Sequence, residues 1–311
     1  MKPARRTSWR TLIRYAGTLL AIILMVYLLR QRWDEIVTSF SQLAWWRLLL
    51  AFGFILLSRF SVIGRWHMLL RSADPETDWR KTTRIAYAGL FATNFLPTTI
   101  GGDVVRLAGA IQSGFDAAVA AASLVVDRLV GMFGMALILP VGLARIAGLA
   151  ALSNTVLAAA LPQSLWQRVR RVAQRLLSAL GIWRKQRIAL LSSLGFTFLH
   201  MLGFFACLMV LLDGMGESMS FWIVGGLWTF VYFVTLLPIS INGLGVQEVS
   251  IVGIFTTFGG ISEPSALTVA LIFRTLVMLA SLPGAAFVGS IMPAVEQQAK
   301  EEPLVPVEGE S

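Results

Sequence analysis

Five arginines sit inside long apolar runs of this sequence: Arg59, Arg65, Arg106, Arg128 and Arg274. Three carboxylates fall among them, Asp103, Asp127 and Glu248. Taking such charges out of water is costly, so they are paired, functional or both. Arg106 follows Asp103 by three residues, the spacing of a helical ion pair. Even full pairing leaves arginine in surplus. A permanently charged planar donor suits a phosphate, which it binds with two parallel hydrogen bonds. Arg65 lies nearest the end of its run, where a long side chain snorkels to the surface. His67 and His200 are isolated, and local hydrogen bonding is expected of them rather than proton relay.

The same runs are interrupted twice. The first interruption is Asn94-Phe95-Leu96-Pro97-Thr98-Thr99-Ile100-Gly101-Gly102-Asp103; the second runs from Leu237-Pro238 through Ser240, Asn242-Gly243 and Gly245 to Gln247-Glu248. Each reads Leu-Pro, a hydroxyl residue, an isoleucine, then Gly-Gly or Asn-Gly. Proline removes a helical hydrogen bond and glycine tolerates non-helical angles, so both helices break here. Backbone broken at membrane depth survives only where protein buries it or a cavity wets it, and breaks in matching halves point to a binding site. The helices that restart near Gly102 and Gly245 would turn their free N–H groups toward that site. Asn94, Thr98, Thr99, Ser240, Asn242 and Gln247 add neutral hydrogen-bonding groups. Gly114–Arg128 also aligns without gaps to Gly260–Arg274, which extends the repeat to about 85–145 and 221–292.

Behind these residues stands a chain that is 56% hydrophobic and only 14% charged, with mean hydropathy +0.73. Several runs reach the ~20 apolar residues that cross a bilayer, which makes this an all-α polytopic membrane protein. The only cysteine, Cys207, excludes an intrachain disulfide. Zinc-ligand spacing, a Walker loop, Gly-x-Ser-x-Gly and His-Glu-x-x-His are all missing, so no metal, cofactor or catalytic residue is expected. The net charge of +9 is distributed for membrane orientation rather than for nucleic acid.

In chain order we expect a basic start, a span over 11–29, and a second from Trp45 to about Leu70. A pair of short helices flanks the first break. A full span covers 117–139, with Ser123, Asp127, Gly131 and Gly134 on one face. A loop is expected over Pro140–Arg145, followed by an Ala-rich span over 146–161. Residues 163–187 interleave arginines with apolar residues and read as an amphipathic helix on anionic lipid. A span over 188–212, a second short pair at 221–258 and a last span from Pro264 to Met292 follow. The acidic tail 293–311 is read as disordered. Most of the 26 lysines and arginines fall at the N-terminus, in 71–84 and in 163–187, which places both termini in the cytoplasm. The expected fold is therefore about six spans plus two re-entrant hairpins in an inverted repeat, all within one domain, 1–292.

Leu96-Pro97, Gly101-Gly102-Asp103, Arg106, Arg65-Trp66 and Leu237-Pro238 through Glu248 resemble the lysylphosphatidylglycerol synthase transmembrane-region family, flippase-like membrane proteins of bacteria and archaea. The resemblance covers nearly the whole chain. It implies lipid translocation in the inner membrane without fixing the lipid. In the namesake enzymes a separate soluble domain transfers the amino acid, and that activity is not expected of this chain. Arg106, Arg128 and Arg274 would hold phosphate with Arg59 in support, while Asp103, Asp127 and Glu248 balance charge. Thr99, Gly101, Gly102, Gly243 and Gly245 would shape the site around the breaks at Pro97 and Pro238. The alternative is a membrane-embedded enzyme or accessory subunit acting on polyprenyl-phosphate, hopanoid or phospholipid, and lipid-synthesis enzymes are possible partners.

Overall fold

The computed structural model describes residues 30, 33–94, 101–152, 187–237 and 240–291, and every regular element among them is helical. In order these are α1 (Trp33–Ser41), α2 (Trp45–Ala73), α3 (Trp79–Thr93), α4 (Gly101–Gln112) and α5 (Ala117–Leu152). Then come α6 (Arg187–Gly214), α7 (Phe221–Thr235), α8 (Val246–Ile254) and α9 (Glu263–Leu279). The expected first span, most of the basic segment 163–187, the acidic tail, Pro97, Thr98, Thr99 and Pro238 lie outside the described residues.

Among the described residues, four stretches are long and apolar enough to cross a membrane: Trp45–Ala73, Ala117–Ile146, Ile188–Gly214 and Glu263–Ile291. The last continues α9 through a short 3-10 turn at Leu282–Gly284, where Pro283 interrupts the ladder. α6 is apolar all round, and it exposes Leu191, Phe198 and Leu202 on the side turned away from the bundle. In lipid there is no hydrophobic drive between helices, so close packing of small residues holds the bundle. Gly203 abuts the Phe54 carbonyl and Gly142 abuts the Gly226 backbone; an added Cβ would come within 2.7 Å and 2.6 Å respectively.

One expectation needs correcting. The predicted loop at Pro140–Arg145 is helical, and α5 runs through Pro140 to Leu152. A membrane helix tolerates an internal proline where neighbours pack closely around it, and the Gly142–Gly226 crossing lies half a turn beyond.

α3 ends at Thr93 and α4 begins at Gly101, on either side of the first expected break; α7 ends at Thr235 and α8 begins at Val246, on either side of the second. α3 starts at an Asp78 cap, whose carboxylate accepts from Arg80 N–H at 3.1 Å. At 15 and 12 residues, α3 and α4 are only ~22 Å and ~18 Å long, too short to cross singly. They pack against one another, as do α7 and α8. Gln112 Nε2 donates to the Ser290 carbonyl at 3.2 Å, so the open end of α3/α4 sits by the C-terminal end of the last membrane stretch. Arg145 Nε donates to the Phe258 carbonyl at 3.2 Å and Ser262 N–H donates to Glu217 at 3.0 Å. The open end of α7/α8 therefore sits by the start of that stretch, and the two short pairs open toward opposite ends of the bundle.

Candidate functional site

The third residue of each short helix after a break is acidic: Asp103 in α4 and Glu248 in α8. A carboxylate in the first turn is favoured by the helix dipole. Each then meets the arginine that the sequence repeat aligns. Arg128 Nε donates to Asp103 Oδ2, and Arg274 Nε donates to Glu248 Oε1 at 2.5 Å. The turns preceding the two arginine helices match as well, since Gly114 and Gly260 both have positive φ, 98° and 74°. The second half carries one more residue between acid and glycine. A π turn at Phe255–Gly259 lies in that interval and takes up the extra residue.

The first half adds a buried network. Asp127, 2% exposed, accepts from Arg65 Nε at 2.6 Å and from an Arg106 terminal nitrogen at 3.1 Å. The other Arg106 terminal nitrogen reaches Asp103 at 3.2 Å, and its guanidinium lies 4.3 Å above the Trp66 ring. Trp66 Nε1 donates to Ser123 Oγ at 3.1 Å, and Arg65 also reaches Thr197 Oγ1 at 3.3 Å. Arg65, Asp127, Arg106, Asp103 and Arg128 thus form one continuous chain of charge. On the face Ser123–Asp127–Gly131–Gly134, Ser123, Asp127 and Gly134 are buried and Gly131 is half-buried, and a Cβ on Gly131 or Gly134 would strike Arg65 or Thr197 respectively. Arg65 does not snorkel. α2 continues two turns past it, and Asp127 draws the side chain inward. Arg65 and Thr197 are the network residues missing from the expected site; the Arg65-Trp66 doublet inside an apolar helix was the available signal for the first, and Thr197 left none.

In the second half Arg274 holds backbone. Its terminal nitrogens donate to the carbonyls of Asn242, at 3.3 Å, and Gly243, at 3.0 Å. Asn242, Gly243 and Gly245 all have positive φ, at 48°, 68° and 74°. That left-handed run turns the carbonyls out of any helical ladder, and Arg274 satisfies them. Ser240 is buried and its hydroxyl has no partner among the described residues. Gln247 is half-buried at the start of α8. Asn94 faces elsewhere, with Nδ2 donating to Ser281 Oγ at 2.7 Å.

Gly101 and Gly102 begin α4. A Cβ on Gly102 would come within 1.9 Å of Thr93 Oγ1 and 2.6 Å of the Gly89 carbonyl, so glycine is what lets the two arms meet. The histidines are locally bonded: His200 Nδ1 pairs with Ser58 Oγ at 2.7 Å and His67 Nδ1 with Thr82 Oγ1 at 3.1 Å. Arg59 differs from Arg65, Arg106, Arg128 and Arg274. It is 9% exposed and has no carboxylate partner among the described residues.

Helices of spanning length around a buried, carboxylate-balanced arginine network define a multi-pass membrane protein. The family model described as lysylphosphatidylglycerol synthase TM region matches residues 14–284. The chain belongs to that family. No curated protein matches it.

Proposed function

We propose that the protein translocates a lipid with a phosphate-bearing head group, anionic or zwitterionic, across the bacterial inner membrane. The observation that carries this reading is the repeated pair Arg128–Asp103 and Arg274–Glu248, which ties each long helix to the first turn of a broken one. Paired broken helices opening toward opposite ends are the architecture of alternating-access carriers. We read α3/α4 and α7/α8 as re-entrant hairpins, one from each side of the membrane. Arg71, Arg80, Lys81 and Arg84 lie at or near the open end of α3/α4, which supports a cytoplasmic location for that side and for both termini. Segment 163–187 would rest on the same leaflet.

Arg128 is the most exposed of the carboxylate-paired interior arginines, its side chain 36% exposed against 12% for Arg274 and 10% for Arg106, and it would meet an arriving head group first. The chemistry is translocation, not bond-making. Vesicles reconstituted with the pure protein and fluorescent phosphatidylglycerol test it. Faster exchange between leaflets than in protein-free vesicles is expected, with lipid recovered unchanged. No acceleration across phosphate-bearing lipids overturns the reading, and covalently altered lipid replaces it with an enzyme.

A further inference from the structure

Arg59 sits at the midpoint of α2, seven to eight turns long, so it is about as far from either end as a residue of that helix can be. Beyond α2 itself, Tyr87 of α3 lies within electrostatic reach and Val277 of α9 within hydrogen-bond reach. One terminal nitrogen donates to the Val277 carbonyl at 3.3 Å. That carbonyl is spare because the break at Pro283 shortens the last turn of α9: Ser281 N–H bonds to Met278 rather than to Val277. A cation at a helix C-terminus is an ordinary cap. The cap uses one donor of five. Nε is fully buried and donates to nothing among the described residues.

The contrast with the other arginines decides what this means. Arg65, Arg106, Arg128 and Arg274 are each matched to a carboxylate within 4 Å. A cap alone could be made by lysine or by a serine hydroxyl, without an unpaired guanidinium at mid-helix. His200 offers no negative charge, and both Arg59 and Arg65 are within electrostatic reach of it. An uncompensated buried cation with an orphaned donor destabilises the fold unless an anion completes it. We propose that Arg59 is an anion-binding residue, whose free Nε edge takes a phosphate oxygen of the cargo at the junction of α2, α3 and the α9 break. The transport reading supplies the source of that phosphate, a lipid head group. The chemistry would serve a free phosphate monoester equally well.

The test measures binding, so it stands apart from transport. Wild type, Arg59→Gln and Arg59→Lys are purified in detergent and titrated with dioctanoyl phosphatidylglycerol and with dioctanoylglycerol, which has the same chains and no phosphate. Wild type should prefer the phosphate lipid. Arg59→Gln should lose ~10-fold or more of that preference, the loss expected for a charge-assisted hydrogen bond. Arg59→Lys keeps a charge for the Val277 carbonyl and loses the fork, so it should lose a smaller share while folding like wild type. The ratio between the two lipids is unaffected by a lower folded fraction.

Glycerol phosphate is the third probe. If it competes with phosphatidylglycerol in wild type and not in Arg59→Gln, the site takes the phosphate by itself; if only the lipid binds in the Arg59-dependent way, the head group is recognised together with its chains. Either result supports Arg59 as the anion reader. An undiminished preference in both variants, or no preference in wild type, overturns it. Absence of leaflet exchange with the binding preference intact would remove the transport reading and leave Arg59 standing.

Discussion

At the scale of single residues, the two repeat arginines are equivalent in sequence and unequal in structure. Arg274 is spent on Glu248 and on two carbonyls of a left-handed turn, whereas Arg128 keeps a third of its side chain exposed. Arg128→Gln is therefore expected to lower binding of phosphate lipid relative to neutral lipid, with folded yield little changed. Arg274→Gln should lower folded yield and affect both lipids alike; the lipid ratio and size-exclusion yield of each variant separate the two. Asp127 poses a sharper question, because it compensates Arg65 and Arg106 at once. Removing one member of a buried ion cluster typically costs ~3–5 kcal/mol, since the remaining charges stay buried. Asp127→Asn should unfold at clearly lower temperature than wild type in detergent. An unchanged melting temperature would mean that the two arginines find other compensation, and that the triad is not what fixes α2, α4 and α5 together.

At the scale of elements, the two breaks use glycine for different reasons. Gly102 lets α4 touch α3, and any side chain there collides with Thr93 and with backbone. Gly243 has open space, its nearest would-be contact being Thr235 at 3.6 Å, yet its φ is +68°. Gly102→Ala should then be severe. Gly243→Asn should be tolerated because asparagine accepts the left-handed region, and Gly243→Val should not. Folded yield and leaflet exchange measure both; equal tolerance of valine and asparagine at 243 would show that the turn re-forms another way. The break positions were legible because Pro and Gly act locally. The matched arginines were legible because a repeat preserves spacing. Which carboxylate each arginine takes, and the burial of Arg65, were not, since those depend on helices far apart in sequence meeting at one depth. The continuity of α5 through Pro140 was hidden for the same reason: the Gly226 backbone that packs beside it is 86 residues away in the numbering.

Between elements, Glu217 clasps the α6–α7 turn to the cap of α9 by accepting from Ser262 N–H at 3.0 Å and Ser262 Oγ at 2.6 Å. Burial works to raise its pKa, but the hydrogen bonds from Ser262 and Ser265 outweigh it and hold the value below the usual 4.5. A lowered carboxyl pKa contributes stability above the unfolded value, which is lost as pH falls through the folded one. Wild type should therefore lose part of its melting temperature on acidification through and below the glutamate range. Glu217→Gln should lose less over the same interval. Parallel pH profiles for the two proteins would remove Glu217 from the account.

At the scale of the molecule, the proposed inverted repeat fixes a sidedness that can be tested without knowing the lipid. α2 ends at the α2–α3 turn, beside the open end of α3/α4. α6 ends at the α6–α7 turn, beside the open end of α7/α8. If the two hairpins enter from opposite faces, these turns lie on opposite faces too. Glu76 in the first turn and Ser218 in the second are both exposed, as is Asp34 in α1. The sole cysteine, Cys207, is buried on α6, so Cys207→Ala gives a silent background. Single cysteines at 34, 76 and 218 are then probed in intact cells with a membrane-impermeant maleimide, and again after permeabilisation. On the proposed orientation, with the basic residues Arg71, Arg80, Lys81 and Arg84 on the cytoplasmic side, the 34 and 218 variants should label from outside and the 76 variant only after permeabilisation. Reversal of all three would keep the inverted fold and flip its orientation. Labelling of 76 and 218 from the same side would remove the inverted repeat itself, and with it the physical basis for a carrier that opens alternately to each face.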